Sequence, residues 1–192
     1  MQFLLILFAS IISSNIALTY FLGMCPFVTI SRNLSVATGM GIAVTAVMVL
    51  TATANWLINH YLLIPLHLQF LQFLVFIVTI ATIVQILEIV IDRYLPKLYH
   101  AFGIFLPLIT VNCAILGISL IMGLRSFGFW ETVIYSLGSG AGWLLAIVAM
   151  GALRKRLVFA KPPAHFGATG ITAILAGIMA LAFIGFAGMA SL

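Results

Sequence analysis

Charged side chains are scarce in this sequence, and their scarcity excludes most classes of protein. Only 6% of the 192 residues are charged, 65% are hydrophobic, and the mean hydropathy is +1.32. Water-soluble domains carry about 25% charged residues. The apolar runs are about twenty residues long, which suits helices that cross a bilayer, and they lack the short alternating pattern of barrel strands. The sequence therefore predicts an all-α integral membrane protein.

Six apolar runs recur along the chain, and the connections between them are too short for a soluble domain. We therefore expect residues 1–192 to form a single transmembrane domain. Two halves of three spans each, about 1–95 and 96–192, necessarily have opposite topology, which is the inverted-repeat arrangement of many transport proteins. Spans 1 and 4 also share an asparagine, a Leu-Gly pair and a cysteine, although the spacing differs. The six spans are expected at 3–22, 36–58, 70–91, 102–122, 131–153 and 170–189.

The basic residues predict the orientation of the chain. The loops after spans 1, 3 and 5 hold seven of the eight Lys and Arg residues, and the opposite side holds only Arg125. The positive-inside rule puts these three loops in the cytoplasm and both termini on the outer side of a bacterial inner membrane. The same bias accounts for the net charge of +5, so no nucleic-acid partner is expected. The seven residues are Arg32, Arg93, Lys97, Arg154, Lys155, Arg156 and Lys161.

Cysteine is almost absent, and the two that occur, Cys25 and Cys113, both lie beside helix-breaking or polar residues. Cys113 is about eleven residues into span 4, roughly 16 Å deep at helical rise. If span 1 were one straight helix, Cys25 would instead lie at the cytoplasmic face. Glycine and proline flank both cysteines, so we expect spans 1 and 4 to be interrupted near them, which would let the thiols approach a common depth.

The residues alone leave the role of the two thiols open. Buried membrane cysteines are usually inert small hydrophobic side chains. A disulfide is disfavoured in a reducing, membrane-embedded setting. A metal site is the third reading, since thiolates are the usual ligands of iron–sulfur clusters, but two cysteines supply only half of a four-thiolate set. A cluster would then need a second subunit or a second copy of the chain.

Two stretches resemble the RnfA/NqrE family of membrane subunits: FLGMCPF at 21–27 and GIFLPLITVNCAILG at 103–117. The second stretch is highly specific, and the resemblance extends over the whole chain, including QILE at 85–88. It implies a subunit of the Rnf complex, a translocase that couples electron transfer between ferredoxin and NAD to Na+ or H+ movement. It further implies a [2Fe-2S] cluster shared with a homologous RnfE-like subunit of opposite topology, with Cys25 and Cys113 as the ligands from this chain. Flavin- and iron–sulfur-bearing subunits and membrane lipid are the other implied partners.

Several polar residues could assist such a cluster or an ion path. Asn112, Thr110 and Asn15 are candidates for hydrogen bonds around the cluster, although membrane Asn and Thr more often bond a neighbouring helix. Glu88 is a candidate for the ion path, with pairing to Arg93 or Lys97 as the alternative.

Two other functions remain open at this stage. One is an inverted-repeat secondary transporter and the other is a structural scaffold subunit. The cluster Arg154-Lys155-Arg156 suits anionic lipid or a peripheral subunit, although its effect on topology is a sufficient explanation. No catalysis is expected from the isolated chain, because it contains no nucleotide loop, nucleophile set or flavin-attachment motif.

Overall fold

The computed structural model of this chain describes residues 2–31, 34–94, 106–157 and 167–187, and every regular element in these ranges is helical. Short π-helical turns extend the first and fourth helices, at Ala9–Ser13 and Asn59–Leu63, and a 3₁₀ turn at Gln69–Leu71 precedes the fifth. The helices are α1 (Gln2–Phe8), α2 (Ile16–Thr19), α3 (Met24–Ile30), α4 (Leu34–Ile58), α5 (Gln72–Tyr94), α6 (Leu106–Thr110), α7 (Cys113–Arg125), α8 (Phe129–Leu157) and α9 (Gly167–Ala187).

Four helical stretches among the described residues are long and apolar enough to cross a membrane. Apolar helices at the two ends, Phe3–Ser13 and Thr169–Gly185, are shorter. These findings agree with a multi-pass membrane protein, while six spans and an inverted repeat stay predictions. The four stretches are Leu34–Leu63, Gln69–Arg93, Leu108–Arg125 and Phe129–Leu157.

The first predicted span is broken, as expected from its sequence. The π-helical turn after α1 ends at Ser13, Asn15 is extended (φ −61°, ψ 113°), and α2 follows for a single turn. A second break precedes α3, where Gly23 is left-handed with φ +78°. Cys25 lies just after this break, so the predicted interruption near it is confirmed. Pro26 does not lie at the break. It lies inside the first turn of α3, where the helix does not use the backbone N–H that proline lacks.

The fourth predicted span is also broken beside its cysteine. Helix α6 ends at Thr110, Asn112 is extended (φ −75°, ψ 109°), and α7 begins at Cys113. The predicted interruption is therefore confirmed here too. Its cause is the asparagine cap, because Gly117 lies within regular helix.

The core of the bundle is the antiparallel pair α4 and α8, which pack along most of their length. Small residues make this close approach possible. A Cβ on Gly140 would stand 2.7 Å from Thr45 Cγ2, and one on Gly41 would collide with the side chain of Leu144. The interpretation of these glycines as sites of tight packing within one bundle is confirmed for this pair. Helices α1 and α2 pack on α8, while α5 packs on α4, α6 and α7.

The polarity of the described bundle is that of a membrane protein, with large apolar side chains outside and small polar ones inside. Phe70 is 82% exposed and Leu124 is 84% exposed, whereas Thr51, Asn55 and Ser119 are completely buried. The side chains of these three residues bond to each other or to helix carbonyls, as in the 2.8 Å bond from Asn55 Nδ2 to Ser119 Oγ. An outer surface so rich in apolar groups requires lipid or protein around it.

Some sequence predictions lie outside the described residues. They are the cytoplasmic positions of Arg32, Lys97 and Lys161, and the first part of span 4 at 102–105.

Candidate functional site

The two cysteines lie at the first turns of two different helices. Cys25 is the second residue of α3, two residues after the left-handed Gly23, and its side chain is exposed at the surface of the described bundle. Cys113 is the first residue of α7 and is partly buried. Both thiols are free.

A hydrogen bond joins the two cysteine segments. The backbone N–H of Gly23 donates to Cys113 Sγ over 2.8 Å, across 90 residues of sequence. Gly23 is only two residues before Cys25, so the breaks in the first and fourth predicted spans meet at one place. The sequence predicts that the cysteines approach a common depth, and this contact shows that their segments meet.

The sulfur of Cys113 lies among backbone hydrogen-bond donors. Its Sγ accepts the N–H of Gly23, and Cys113 occupies the N-terminal turn of a thirteen-residue helix, where the first backbone N–H groups have no partner within the helix. Iron–sulfur clusters are bound through thiolate sulfurs, which are stabilised by such N–H donors. The donor set at this place therefore fits such a cluster.

The chain supplies too few ligands to hold a cluster by itself. Within residues 2–31, 34–94, 106–157 and 167–187, no group of three or more His, Cys, Asp or Glu side chains is arranged to hold a metal ion. Cys25 and Cys113 amount to two thiols. A [2Fe-2S] centre takes four ligands.

Asn15 and Asn112 play the same local role in the two broken spans. Asn15 Oδ1 accepts the N–H of Ala17 over 3.1 Å and caps α2, and Asn112 Oδ1 accepts the N–H of Ala114 over 3.0 Å and caps α7. A short polar side chain on extended backbone is the usual way to begin a helix. The amide oxygens of both residues thus position the two breaks.

The remaining amide groups of the two asparagines differ. Asn15 Nδ2 donates to Gly142 O over 2.8 Å, which anchors the break to α8, and to Ile11 O over 3.2 Å in the preceding turn, so the amide nitrogen is fully engaged. This agrees with the alternative weighed for Asn15, a bond to a neighbouring helix. Asn112 is 3% exposed, and its Nδ2 is buried without a partner in the described part of the chain. Of the two, only Asn112 has a donor to offer next to a cysteine.

The other two predicted site residues lie elsewhere on the framework. Thr110 is the last residue of α6, partly buried, and two residues before the Asn112 cap. Glu88 is partly buried on α5, near the end of that helix that carries Arg93. Nothing in the structure tests a role for either residue.

Trp143 is a contributor that the sequence interpretation missed. Its side chain on α8 is fully buried, and its Nε1 has no hydrogen-bond partner among the described residues. A Cβ placed on Gly23 would stand 2.7 Å from Trp143 Nε1 and 2.9 Å from Asn112 Oδ1. The available signal was a single tryptophan directly after the small-residue run at 138–142, where it fills space beside the broken span.

Arg154 also has a role that the sequence interpretation did not foresee. Its Nη1 donates to Val28 O over 2.7 Å and to Ser31 Oγ over 2.6 Å, which joins the end of α8 to the end of α3. The sequence places Arg154 in a basic cluster that suits lipid or a peripheral subunit, with its effect on topology as the sufficient explanation. In the structure its side chain is directed toward α3, while Lys155 and Arg156 are exposed.

Comparison with known proteins gives the same family over nearly the whole chain. The family model described as "Rnf-Nqr subunit, membrane protein" matches residues 3–190. A protein of Aeromonas salmonicida (strain A449), named as a subunit of the Na(+)-translocating NADH-quinone reductase, is 48% identical over 98% of each chain. Its namesake from Methylococcus capsulatus is 47% identical over 94% of each chain. A second protein of Aeromonas salmonicida, named as a subunit of an ion-translocating oxidoreductase complex, is 43% identical over 98% of this chain and 97% of its own.

Proposed function

This chain belongs to the Rnf-Nqr family of membrane subunits, and we propose that it is a subunit of an ion-translocating electron-transport complex. Its relatives carry the names of two such complexes, a sodium-translocating NADH–quinone reductase and an ion-translocating oxidoreductase. As a subunit of a redox-driven ion pump, the chain would carry electrons through the membrane and leave the chemistry of the soluble substrates to other subunits.

The observation that carries the proposal is the bond from Gly23 N–H to Cys113 Sγ. It joins the two cysteine segments at the breaks of two helical segments, and irregular backbone buried within a membrane protein typically marks a functional centre. Cys25 and Cys113 would hold a [2Fe-2S] cluster, which supplies one-electron transfer when bound. Residues of this chain would hold the sulfurs in place: Gly23 through its N–H, and Asn112 through the cap that begins α7.

The exposure of Cys25 supports a shared cluster. Its side chain is open at the surface of the described bundle, and Phe21 and Val111, close to the two cysteines in sequence, are also exposed, at 49% and 79%. A second subunit can therefore reach the sulfur of Cys25 and bring two further thiols. In the proposal this partner is a homologous RnfE-like subunit of opposite topology. Flavin- and iron–sulfur-bearing subunits complete the complex and exchange electrons with it.

The matched asparagine caps support the inverted repeat. Asn15 and Asn112 occupy corresponding spans of the two proposed halves, and each begins a helix after a break with nearly the same backbone angles. In the proposal the chain has six spans, and the loop charges then place both termini on the outer side of the inner membrane. The coupled ion in this proposal is Na+ or H+.

Whether the complex uses ferredoxin and NAD or NADH and quinone is a separate part of the proposal. The resemblance of the two cysteine stretches led to the ferredoxin-linked type, while relatives of 46–48% identity carry the NADH–quinone name. Oxidation of NADH by the purified complex with a quinone acceptor, compared with reduction of NAD by reduced ferredoxin, distinguishes the two. Dependence of either rate on Na+ identifies the coupled ion.

The cluster is tested with this chain co-purified with its membrane partners. Iron, acid-labile sulfide and the EPR spectrum of the reduced sample are measured for wild type, Cys25→Ser and Cys113→Ser. A serine hydroxyl at 113 can still accept the N–H of Gly23, so the helix break should persist. We expect a two-iron signal in wild type and its loss in each variant, while the subunits remain assembled.

Ser35→Ala, an exposed position at the start of α4, serves as the control and should keep the signal. Unchanged iron content and spectra in both cysteine variants would exclude the shared cluster. The transporter alternative then becomes testable, because it requires substrate binding by the isolated chain.

A further inference from the structure

The indole N–H of Trp143 has no hydrogen-bond acceptor among the described residues. The side chain is completely buried on α8, and no acceptor lies within hydrogen-bonding distance of Nε1 among the described residues. Leaving a buried donor unpaired is unfavourable, because the group loses its hydrogen bonds to water without replacing them. In native proteins such a donor usually has an acceptor, and here that acceptor would lie outside the described residues.

The position of this donor is informative. Trp143 Nε1 and Asn112 Oδ1 both lie within 3 Å of the place that a Cβ on Gly23 would occupy, and the N–H of Gly23 itself donates to Cys113 Sγ. The second unpaired donor nearby is Nδ2 of Asn112, the residue before Cys113. Two uncommitted N–H groups therefore lie beside the residue that bonds the cysteine sulfur.

We propose that Trp143, with Asn112, donates its unpaired N–H to sulfur at the Cys113 end of the shared cluster and thereby raises the reduction potential of that cluster. This inference rests on the proposed function and adds to it a hydrogen-bond donor from α8. Reduction adds negative charge to the cluster, and N–H donors aimed at sulfur stabilise that charge. The buried donors are preorganised by α7 and α8, so they need no rearrangement when the electron arrives.

The test is a comparison of two tryptophan-to-phenylalanine variants in the intact complex. Trp143→Phe removes the unpaired N–H and keeps an aromatic ring. Trp56→Phe is the matched control, because Trp56 Nε1 donates to Phe127 O and its ring packs on Phe129. The ring of Trp56 therefore lies far from Trp143, because its contact Phe129 is fourteen residues before Trp143 on α8, roughly 20 Å at helical rise.

We expect both variants to keep the iron and sulfide of wild type. Trp143→Phe should shift the midpoint potential to a more negative value, with about a tenfold change in the ratio of reduced to oxidised cluster at fixed potential, or about 59 mV for one electron. Trp56→Phe should leave the potential unchanged. An unchanged potential in Trp143→Phe with full iron content would overturn the inference and leave the cluster itself intact, whereas absence of iron from wild type would overturn the proposed function.

A second measurement detects the donated N–H directly. The complex is prepared with tryptophan labelled by ¹⁵N in the indole ring, and pulsed EPR of the reduced cluster is recorded. A ¹⁵N coupling that is present in labelled wild type, retained in labelled Trp56→Phe and lost in labelled Trp143→Phe supports the inference. Absence of any ¹⁵N coupling from labelled wild type contradicts it and points to buried water as the acceptor.

Discussion

Gly23 combines two requirements that only glycine meets. Its φ of +78° is left-handed, a conformation that costs a residue with a side chain about 1–2 kcal/mol. A Cβ would also stand 2.7 Å from Trp143 Nε1 and 2.9 Å from Asn112 Oδ1, closer than real contacts allow. Both effects act on the backbone whose N–H donates to Cys113 Sγ.

We therefore predict that Gly23→Ala destabilises the complex by at least the 1–2 kcal/mol of the backbone term, and lowers its iron content. Thermal unfolding of the purified complex and iron analysis measure the two effects. Gly177→Ala on α9 is the matched control, because nothing lies within 4 Å of the added methyl group and alanine favours helix over glycine by about 1 kcal/mol. Equal stability and iron content in the two variants would show that Gly23 has no special role.

Helix α3, which carries Cys25, depends on other groups for its stability. It has seven residues, and a helix this short is not stable on its own, so its ends must be fixed by other groups. Gly23 fixes its start. Arg154 fixes its end, with a guanidinium that bonds Val28 O and Ser31 Oγ where the helix carbonyls are unpaired.

We predict that Arg154→Gln weakens the attachment of α3 by about 1.5–3 kcal/mol, the usual range for a hydrogen bond to a charged group. The expected result is a lower unfolding temperature of the complex and a broader EPR signal, because one ligand segment is less well fixed. Lys155→Gln is the control: it removes the same charge from the same end of α8, but its side chain is exposed. If both variants behave alike, the charge at the end of α8 and not the bond to α3 is responsible.

The helix breaks were predictable from the sequence, whereas the residues that fix them were not. Gly23 beside Cys25, and Asn112 beside Cys113, are local signals, since each residue type favours a helix end through its own backbone or side-chain chemistry. The roles of Trp143 and Arg154 depend on which helix packs against which, and no local pattern contains that information. Arg154 even has the sequence context of an ordinary basic loop residue, so its inward direction could be found only from the fold.

The spans show the same division at the level of elements. Apolar length predicted the central helices, and the described residues contain four stretches that meet the requirement for crossing a membrane. Apolar length alone does not identify the first and last predicted spans as crossings, because their helices are shorter. In the first span, the breaks after Ser13 and before Met24 divide the chain into short helices. Hydropathy averages over such breaks and therefore cannot show how the pieces are arranged.

At the scale of the whole molecule, the number of crossings decides whether the inverted repeat exists. With four crossings or with six, the two termini lie on the same side, so their location alone does not separate the two arrangements. The N-terminal segment does separate them. If residues 2–31 cross the membrane through α1, α2 and α3, the N-terminus and residue 33 lie on opposite sides, and if they do not cross, both lie on the cytoplasmic side.

We predict that the N-terminal segment crosses, with the N-terminus outside and residue 33 in the cytoplasm. Asn15, completely buried and bonded to Gly142 O on α8, holds the broken segment inside the bundle and not along its surface. A reporter that fluoresces only in the cytoplasm should be active when fused after residue 33 and inactive at the N-terminus, while a reporter active only outside should give the reverse. Fusions after residue 127, near Arg125, provide the reference for the outer side. Cytoplasmic fluorescence from both the N-terminus and residue 33 would contradict six spans and remove the basis for two inverted halves.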